Sequence, residues 1–413
     1  MNGFLVGHAT HPDWRSALAL AAAQVDARRA AHERSDAGPL SLGFVYFTDA
    51  YAEHAGALWA ELQQRWPGVH WVGSVGVGVA AYGVEYVDEP ALVLMLGALP
   101  PGRFEVFSGA HKLRRIEPYS ALVHADPNTP DLAELIGEMS DRTESGYLFG
   151  GLSASRGAHC HVANGVWQGG LSGVAFTRDV ALVSRVTQGC QPLSAARRIT
   201  ASDRNLVLEL DGRPALPQLL ADIGLSDLSD ARAALPKLRS TLVGLTDGDT
   251  SAHRLHDGPA PRHGAFGSDV RVRHLIGLDT ARQAVAVADV VEPGMRLAFC
   301  QRDVHAARRD LVRICSEIRD ELEPALEPVA AGQAAAAAAA AAPRRILGAL
   351  YVSCAGRGGP HFGGPSAELK IVQHALAGDG AEVPLVGYFA GGEIGHRHLY
   401  SYTGVLTVFT GRG

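Results

Sequence analysis

Toward the C-terminus a short apolar run ends in Ser353-Cys354-Ala-Gly-Arg357-Gly358, and a second ends in Val386-Gly-Tyr-Phe389-Ala-Gly-Gly-Glu393. A thiol, a planar cation, side-chain-free amides and a carboxylate thus close two buried-type strands. If those strands pair, the groups become neighbours, and the set suits a small zwitterion or carboxylate better than a macromolecule. Arg357 and the glycine amides would grip a carboxylate, because the guanidinium fork binds bidentately, while Glu393 meets an ammonium group. The alternative for Arg357 is a structural ion pair with Glu393 or another acid. Phe389 would supply an apolar wall. Phe149-Gly150-Gly151-Leu-Ser153 offers the same chemistry earlier in the chain, two bare amides and a hydroxyl for an anion, or else a tight bend with a local serine turn.

Catalysis is the weaker reading, and no catalytic residue is assigned. Cys354 would be nucleophilic if the strand end and Arg357 depressed its pKa, and His361 is the nearest base in sequence. Gly73-Ser-Val-Gly-Val-Gly78 is not a dinucleotide fingerprint, since glycine alternates with valine and the segment reads as one continuing strand through Val79. His159 and His161 alternate along a strand without a third ligand at diagnostic spacing, and His396 and His398 read the same way, so neither a metal nor another cofactor is expected.

Chain-wide properties bound these readings. The 413 residues are 47% hydrophobic and 19% charged with net charge −6, which fits an ordinary globular protein and argues against non-specific nucleic-acid binding. His111-Lys-Leu-Arg-Arg115 and Arg308-Arg-Asp-Leu-Val-Arg313 are short, interrupted basic runs that read as solvated faces. The N-terminus has no basic segment followed by an apolar core, so no signal peptide is expected, and no run is apolar enough for membrane insertion. Five scattered cysteines point to reduced thiols and a cytoplasmic location.

The elements that must hold the candidate residues follow one plan three times: strand, helix, glycine-bearing strand, return strand. The first copy runs Leu42–Phe47, a helix with Tyr51, Ala55, Leu58 and Leu62 on one face, Val72–Val79 and Ala91–Leu96. The second runs Ser120–His124, a helix started by Thr129-Pro130-Asp131, Tyr147–Ser153 and Leu171–Phe176. The third runs Ile346–Val352, a helix from Ser366 with Leu369, Val372 and Leu376 inward, Leu385–Phe389 and Gly404–Phe409. The spacing predicts an α/β (α+β mixed) fold of repeated units forming mixed β-sheets flanked by helices. Between the second and third copies lie strands at Leu206–Leu210, Thr241–Leu245, Val270–Ile276, Ala284–Val291 and Arg296–Gln301, and a helix from Pro214 to Ile223. Asp303 opens a long amphipathic helix. The pattern breaks near 193–202, giving two domains, 1–198 and 199–413, with an alanine-rich connector at 330–343 inside the second.

The chain resembles FIST-domain proteins, with FIST N and FIST C domains in that order, from about residue 40 to the end. The resemblance is carried by Gln188-Gly-Cys-Gln-Pro192, Leu208-Glu-Leu-Asp-Gly-Arg-Pro-Ala215, and Gly294–Phe299 with Arg302-Asp303. Ser353–Gly358, Val386–Phe389 and Gly392–Gly395 complete it. It implies a sensory role in signal transduction, with amino acids or similar small polar metabolites as ligands and an unidentified signalling protein as partner. The alternatives are an interaction scaffold without a ligand and, less favoured, a Cys354-dependent thiol enzyme. The stretch Gly395-His-Arg-His-Leu-Tyr-Ser-Tyr-Thr403 is shorter than in relatives, which carry a proline and a longer loop there.

Overall fold

The three sequence repeats fold to one topology. In chain order the first contributes β1 (Leu5–Thr10), α1 (Trp14–Glu33), β2 (Leu42–Thr48), α2 (Ala55–Arg65), β3 (His70–Gly76), β4 (Gly78–Ala81), β5 (Val84–Val87) and β6 (Ala91–Gly97). The second contributes β7 (Phe104–Phe107), β8 (Ser120–Ala125), α3 (Leu132–Asp141), β9 (Tyr147–Leu152), β10 (His161–Ala163), β11 (Val166–Trp167) and β12 (Leu171–Phe176). The third opens with β13 (Leu182–Gln188) and is then interrupted. The interruption holds β14 (Cys190–Pro192), β15 (Arg197–Asp203), β16 (Leu206–Leu210), β17 (Arg213–Pro214), α4 (Ala215–Asp222), α5 (Ala231–Ser240), β18 (Thr241–Thr246), β19 (Arg271–Asp279), β20 (Ala284–Val287) and β21 (Arg296–Arg302). After α6 (Val304–Leu322) the third repeat resumes with β22 (Arg344–Cys354), α7 (Ala367–Ala377), β23 (Leu385–Ala390), β24 (Glu393–His396), β25 (His398–Tyr400) and β26 (Thr403–Arg412). This is a computed structural model, and it describes residues 3–33, 38–247, 270–323, 344–377 and 382–412. The expected connector at 330–343 lies outside the described residues.

By proximity the chain divides into one unit of Met1–Thr187 with Leu311–Gly413 and another of Gln188–Asp310, the second cut falling within α6. The first unit contains three sheets, ordered β1-β6-β2-β3-β10-β11, β7-β12-β8-β9-β24-β25 and β13-β26-β22-β23-β4-β5. In each, the first four strands come from one repeat and the last two are a hairpin from another. The first repeat's hairpin completes the third's sheet, the second's completes the first's, and the third's completes the second's. The pairs β2/β3, β8/β9 and β22/β23 are parallel, as strands joined through a crossover helix must be when they lie side by side in this sense.

Glycine is what makes each parallel pair fit. The registers set Val45 beside Gly73, Val123 beside Gly150 and Tyr351 beside Gly387. A Cβ at these glycines would stand 1.7, 2.0 and 1.8 Å from the partner's carbonyl oxygen. A second set of glycines lets the chain change sheets. Val72–Val79, expected as one strand, is broken: β3 ends at Gly76 in one sheet and β4 begins at Gly78 in another. A Cβ on Gly76 would meet the Gly78 and Phe389 oxygens at 2.7 and 3.1 Å, so a side chain would block the turn between sheets.

The sheets' inner faces share an apolar core that includes Phe4, Phe44, Phe149, Phe176, Leu350 and Phe409. Their outer faces carry helices. Alternation sends Val45 and Phe47 of β2 toward α1 and α2, while Phe44 and Tyr46 point inward. Helix α1 was not anticipated. Its stripe of Ala17, Leu18, Ala21, Ala22 and Val25 lies close over Gly7. Helix α3 begins after Asp131, which sits at φ 53° and makes no capping bond. Helix α7 is capped from another repeat: Glu85 on the lent hairpin accepts the Leu369 amide at 3.0 Å, and Ser366 Oγ accepts the Glu85 amide at 3.0 Å.

In the second unit β21-β15-β16-β20-β19-β18 run antiparallel, and β18 also pairs β21, so these strands close a circuit around Ile199, Leu210, Val243, Val285 and Phe299. Asp303 caps α6 as expected, its carboxylate accepting the Ala306 amide at 2.5 Å.

Replacing Gly387 with alanine should push β23 off β22 and destabilise the protein by about 1–3 kcal/mol, the range for overpacking a filled site. Urea unfolding should show this as a lowered midpoint. The same substitution at Gly56, which has open space where a Cβ would sit, should not lower it.

Candidate functional site

Strand β22 delivers its last residues to two different places. Tyr351 and Ser353 face α7, whereas Val352 and Cys354 face the core between the sheets. On the α7 side lies a buried ion pair. Arg357 and Glu368 are each 1% exposed, and the guanidinium donates to Glu368 Oε1 from Nε at 2.8 Å and from Nη2 at 2.7 Å. The Tyr351 hydroxyl donates to the same oxygen at 2.6 Å, and Ser353 Oγ to Oε2 at 3.1 Å. The guanidinium carbon stands 5.1 Å from the centre of the Phe362 ring. Arg357 therefore takes up an internal carboxylate, the structural alternative, and its pairing acid is Glu368, with no ion pair to Glu393. Truncating one member of such a buried pair costs about 3–5 kcal/mol, because the other charge is left without compensation.

Glu368 escaped the sequence reading. It stands four residues before Val372 on the inward stripe of α7, but an acid in a first helical turn is commonplace and gives no warning of burial.

On the core side lie Cys354 and Glu393. Register sets Glu393 opposite Gly151, while its neighbour Ile394 points to the α3 layer. A Cβ on Gly151 would meet Gly392 O, Val352 and Ala390 at 2.7, 2.8 and 3.0 Å, so only glycine leaves room here. Glu393 is fully buried. Its Oε2 accepts the Thr403 hydroxyl at 2.7 Å and the Thr403 amide at 3.1 Å, while Oε1 has no hydrogen-bond partner among the described residues. Burial pushes its carboxyl up to about 8, against the opposing Thr403 bonds, the positive charge of Arg357 and a weaker pull from the Cys354 thiol. Glu393 therefore holds its proton through most of the neutral range. The Cys354 thiol is pushed up to about 12, first by burial and then by Glu393, although the amides of Gly356 and Tyr402 point toward its sulfur. It is the least buried of the five free cysteines, yet it is held as a neutral thiol rather than a nucleophile. Glu393 is an acid whose charge adds to that rise.

From Glu393 a line of polar side chains enters the interior. Tyr388 stacks on Tyr46 at 4.8 Å between ring centroids, and the Tyr46 hydroxyl meets His124 Nε2 at 3.2 Å. Burial, followed by the charge of His161, pushes His124 down to about 3, so it is neutral, and its Nδ1 has no partner among the described residues. His161 bonds Ser172 Oγ at 2.5 Å and Gly169 O at 3.2 Å.

The other expected residues are structural in placement. Gly150 and Gly151 sit in β9 between β8 and β24, so both edges of the strand are paired and their amides form no open cradle. Ser153 is buried against His159 Nδ1 at 3.2 Å. Phe389 lies between Gly358 and Gly78, whose hypothetical Cβ atoms would reach its ring at 3.0 and 2.8 Å. The structure brings Cys354, Gly151 and Glu393 together and places Arg357, Gly358 and Phe389 on the sheet's other face.

Family models decide what kind of protein carries this arrangement. The FIST N domain matches residues 41–213 and the FIST C domain matches residues 225–396. The chain belongs to the FIST family. FIST domains are sensory domains of signalling proteins. An uncharacterized protein of Mycobacterium tuberculosis is 28% identical over 427 residues, and an uncharacterized protein of Mycobacterium bovis is 30% identical over 433, each alignment covering 98% of both chains. In this FIST protein the matched boundary, between 213 and 225, falls within the second spatial unit, and the repeats cross it. Among the described residues no helix is long and apolar enough to cross a membrane.

The Glu393 carboxyl makes stability depend on pH. The native chain keeps a proton that the unfolded chain releases near 4.5, so this contribution is full below 4.5 and lost as pH rises through about 8. Glu85, pushed up to about 7 mainly by burial, acts in the same direction. His124, held neutral by burial, acts in the opposite direction below about 6.5, so urea unfolding between pH 6.5 and pH 8 should show stability falling with pH, and Glu393→Gln should flatten the slope without abolishing it.

Proposed function

We propose that this FIST protein is a cytoplasmic sensor for a small amino-bearing polar metabolite of the amino-acid class, received beside Glu393 and Cys354 and reported through a partner protein. The reading rests on Glu393: a fully buried carboxyl with one oxygen bound by Thr403 and the other without a partner among the described residues. An unpartnered buried acceptor is costly, and a ligand's ammonium group would relieve that cost by pairing with the ionised carboxylate. The site stands at the C-terminal ends of the parallel pairs β8/β9 and β22/β23, near the place where open α/β sheets receive ligands. Arg357 is held by Glu368, so it is not the group that would meet a ligand's carboxylate. Five unbridged thiols fit a reducing compartment.

A transmission route follows from the topology. Glu393 opens the hairpin β24–β25 that the third repeat contributes to the second repeat's sheet, and Thr403, which holds its carboxylate, opens β26 in the third repeat's own sheet. Ionising Glu393 against a ligand ammonium changes the charge at the point where two sheets exchange strands. A partner that reads the disposition of those sheets would sense it.

Thermal denaturation against amino acids and small amines tests the reading. A ligand at about 100 times its dissociation constant should raise the midpoint by a few degrees, corresponding to about 2.7 kcal/mol. Glu393→Gln, which keeps the Thr403 contacts but cannot ionise, should abolish the shift. A hit retained in that variant, or no shift with any amine, would refute the assignment.

A further inference from the structure

A second candidate site lies at the opposite ends of the parallel strands. Ser41 and His70, at the starts of β2 and β3, border a cleft of about 870 Å³ completed by β7, the loop after it and Asn164. The cleft is large enough for a ligand of nucleotide size.

Its charge is lopsided. Lys112, Arg114 and Arg115 line it, and none of the three makes an ion pair among the described residues. The acid of the lining, Glu105, is occupied by backbone: its carboxylate accepts the Arg114 amide at 3.2 Å and the Arg115 amide at 2.8 Å. Glu105 therefore anchors the basic loop by its main chain and leaves both guanidinium groups exposed. In a chain of net charge −6, such a concentration of cations is a local inversion of sign. One wall is aromatic, with the His70 and Phe104 rings edge to face at 5.7 Å, and Asn164 Nδ2 meets His70 Nδ1 at 2.8 Å to fix that imidazole.

We propose that this cleft binds a phosphorylated small molecule bearing a planar ring, of the mononucleotide class, independently of the Glu393 site. Two adjacent guanidinium forks and an ammonium group match the several oxygens and multiple charge of a phosphate or diphosphate better than a single carboxylate. The Phe104 ring gives the base a face to pack on. The basic run His111–Arg115, read from sequence as a solvated face, thus becomes the phosphate side of a cleft.

Titration calorimetry of the full chain with ADP, inorganic pyrophosphate and adenosine tests this. ADP and pyrophosphate should bind, both more weakly at high salt, and ADP more tightly than pyrophosphate. Replacing Arg114 and Arg115 together with alanine keeps the amides that Glu105 holds, so the melting point should not change. Affinity for both anions should fall about tenfold or more, the loss expected for charged hydrogen bonds. Phe104→Ala should weaken ADP and spare pyrophosphate, and Lys370→Ala, outside the cleft, should change neither. Absence of binding by both anions, or affinity unchanged in the double arginine variant, would overturn the proposal. ADP binding no tighter than pyrophosphate would overturn its ring component.

Discussion

Each repeat gives a hairpin to another repeat's sheet, so no repeat completes its own hydrogen-bond network. The cycle closes after three steps: β4–β5 extends β23, β24–β25 extends β9, and β10–β11 extends β3. Isolated hairpins of this length are marginal in water, and a strand left without its neighbour would expose unpaired amides and carbonyls. The three sheets therefore depend on one another for edge coverage as well as for the apolar core they share. This interdependence also places the chemistry. Glu393 belongs to the third repeat by sequence, lies against Gly151 of the second, and is held by Thr403 of the third repeat's final strand.

Two buried carboxylates near the end of β22 have opposite roles because their surroundings differ. Glu368 is satisfied by Arg357, Tyr351 and Ser353, so its charge is compensated where it stands. Such a pair adds little net stability relative to an apolar replacement, but it fixes the conformation of the segment after β22. Glu393 has Thr403 on one oxygen and, among the described residues, no partner on the other, and burial keeps its proton on. The first arrangement is a closed account of hydrogen bonds, whereas the second leaves one oxygen without a partner among the described residues. Cys354 stands next to the second, and its raised thiol makes it a neutral wall residue.

The threefold repeat was legible because its parts are long and periodic: apolar residues at helical spacing between short β-branched runs. The glycines were legible as markers but not in their function. Nothing in one sequence says that Gly73, Gly150 and Gly387 face a partner carbonyl, since that depends on a register fixed only when the parallel strands meet. The break of Val72–Val79 into two strands was hidden for a related reason, because local pattern does not reveal which sheet a short strand joins. Arg357 and Glu393 were legible as candidates, but Arg357's partner lay on a helix whose acid looked like an ordinary first-turn residue. Helix α1 was overlooked because its inward stripe is mostly alanine, which carries little hydrophobic contrast.

The most direct measurement of the central claim, that exchanged hairpins bind the three repeats into one body around Glu393, is native-state amide hydrogen exchange resolved by residue. Amides of β4, β10 and β24 should open with the same free energy as those of their hosts β23, β3 and β9, all joining the global unfolding transition. Three separate opening energies, one for each repeat, or hairpins that exchange well before their host strands, would contradict it.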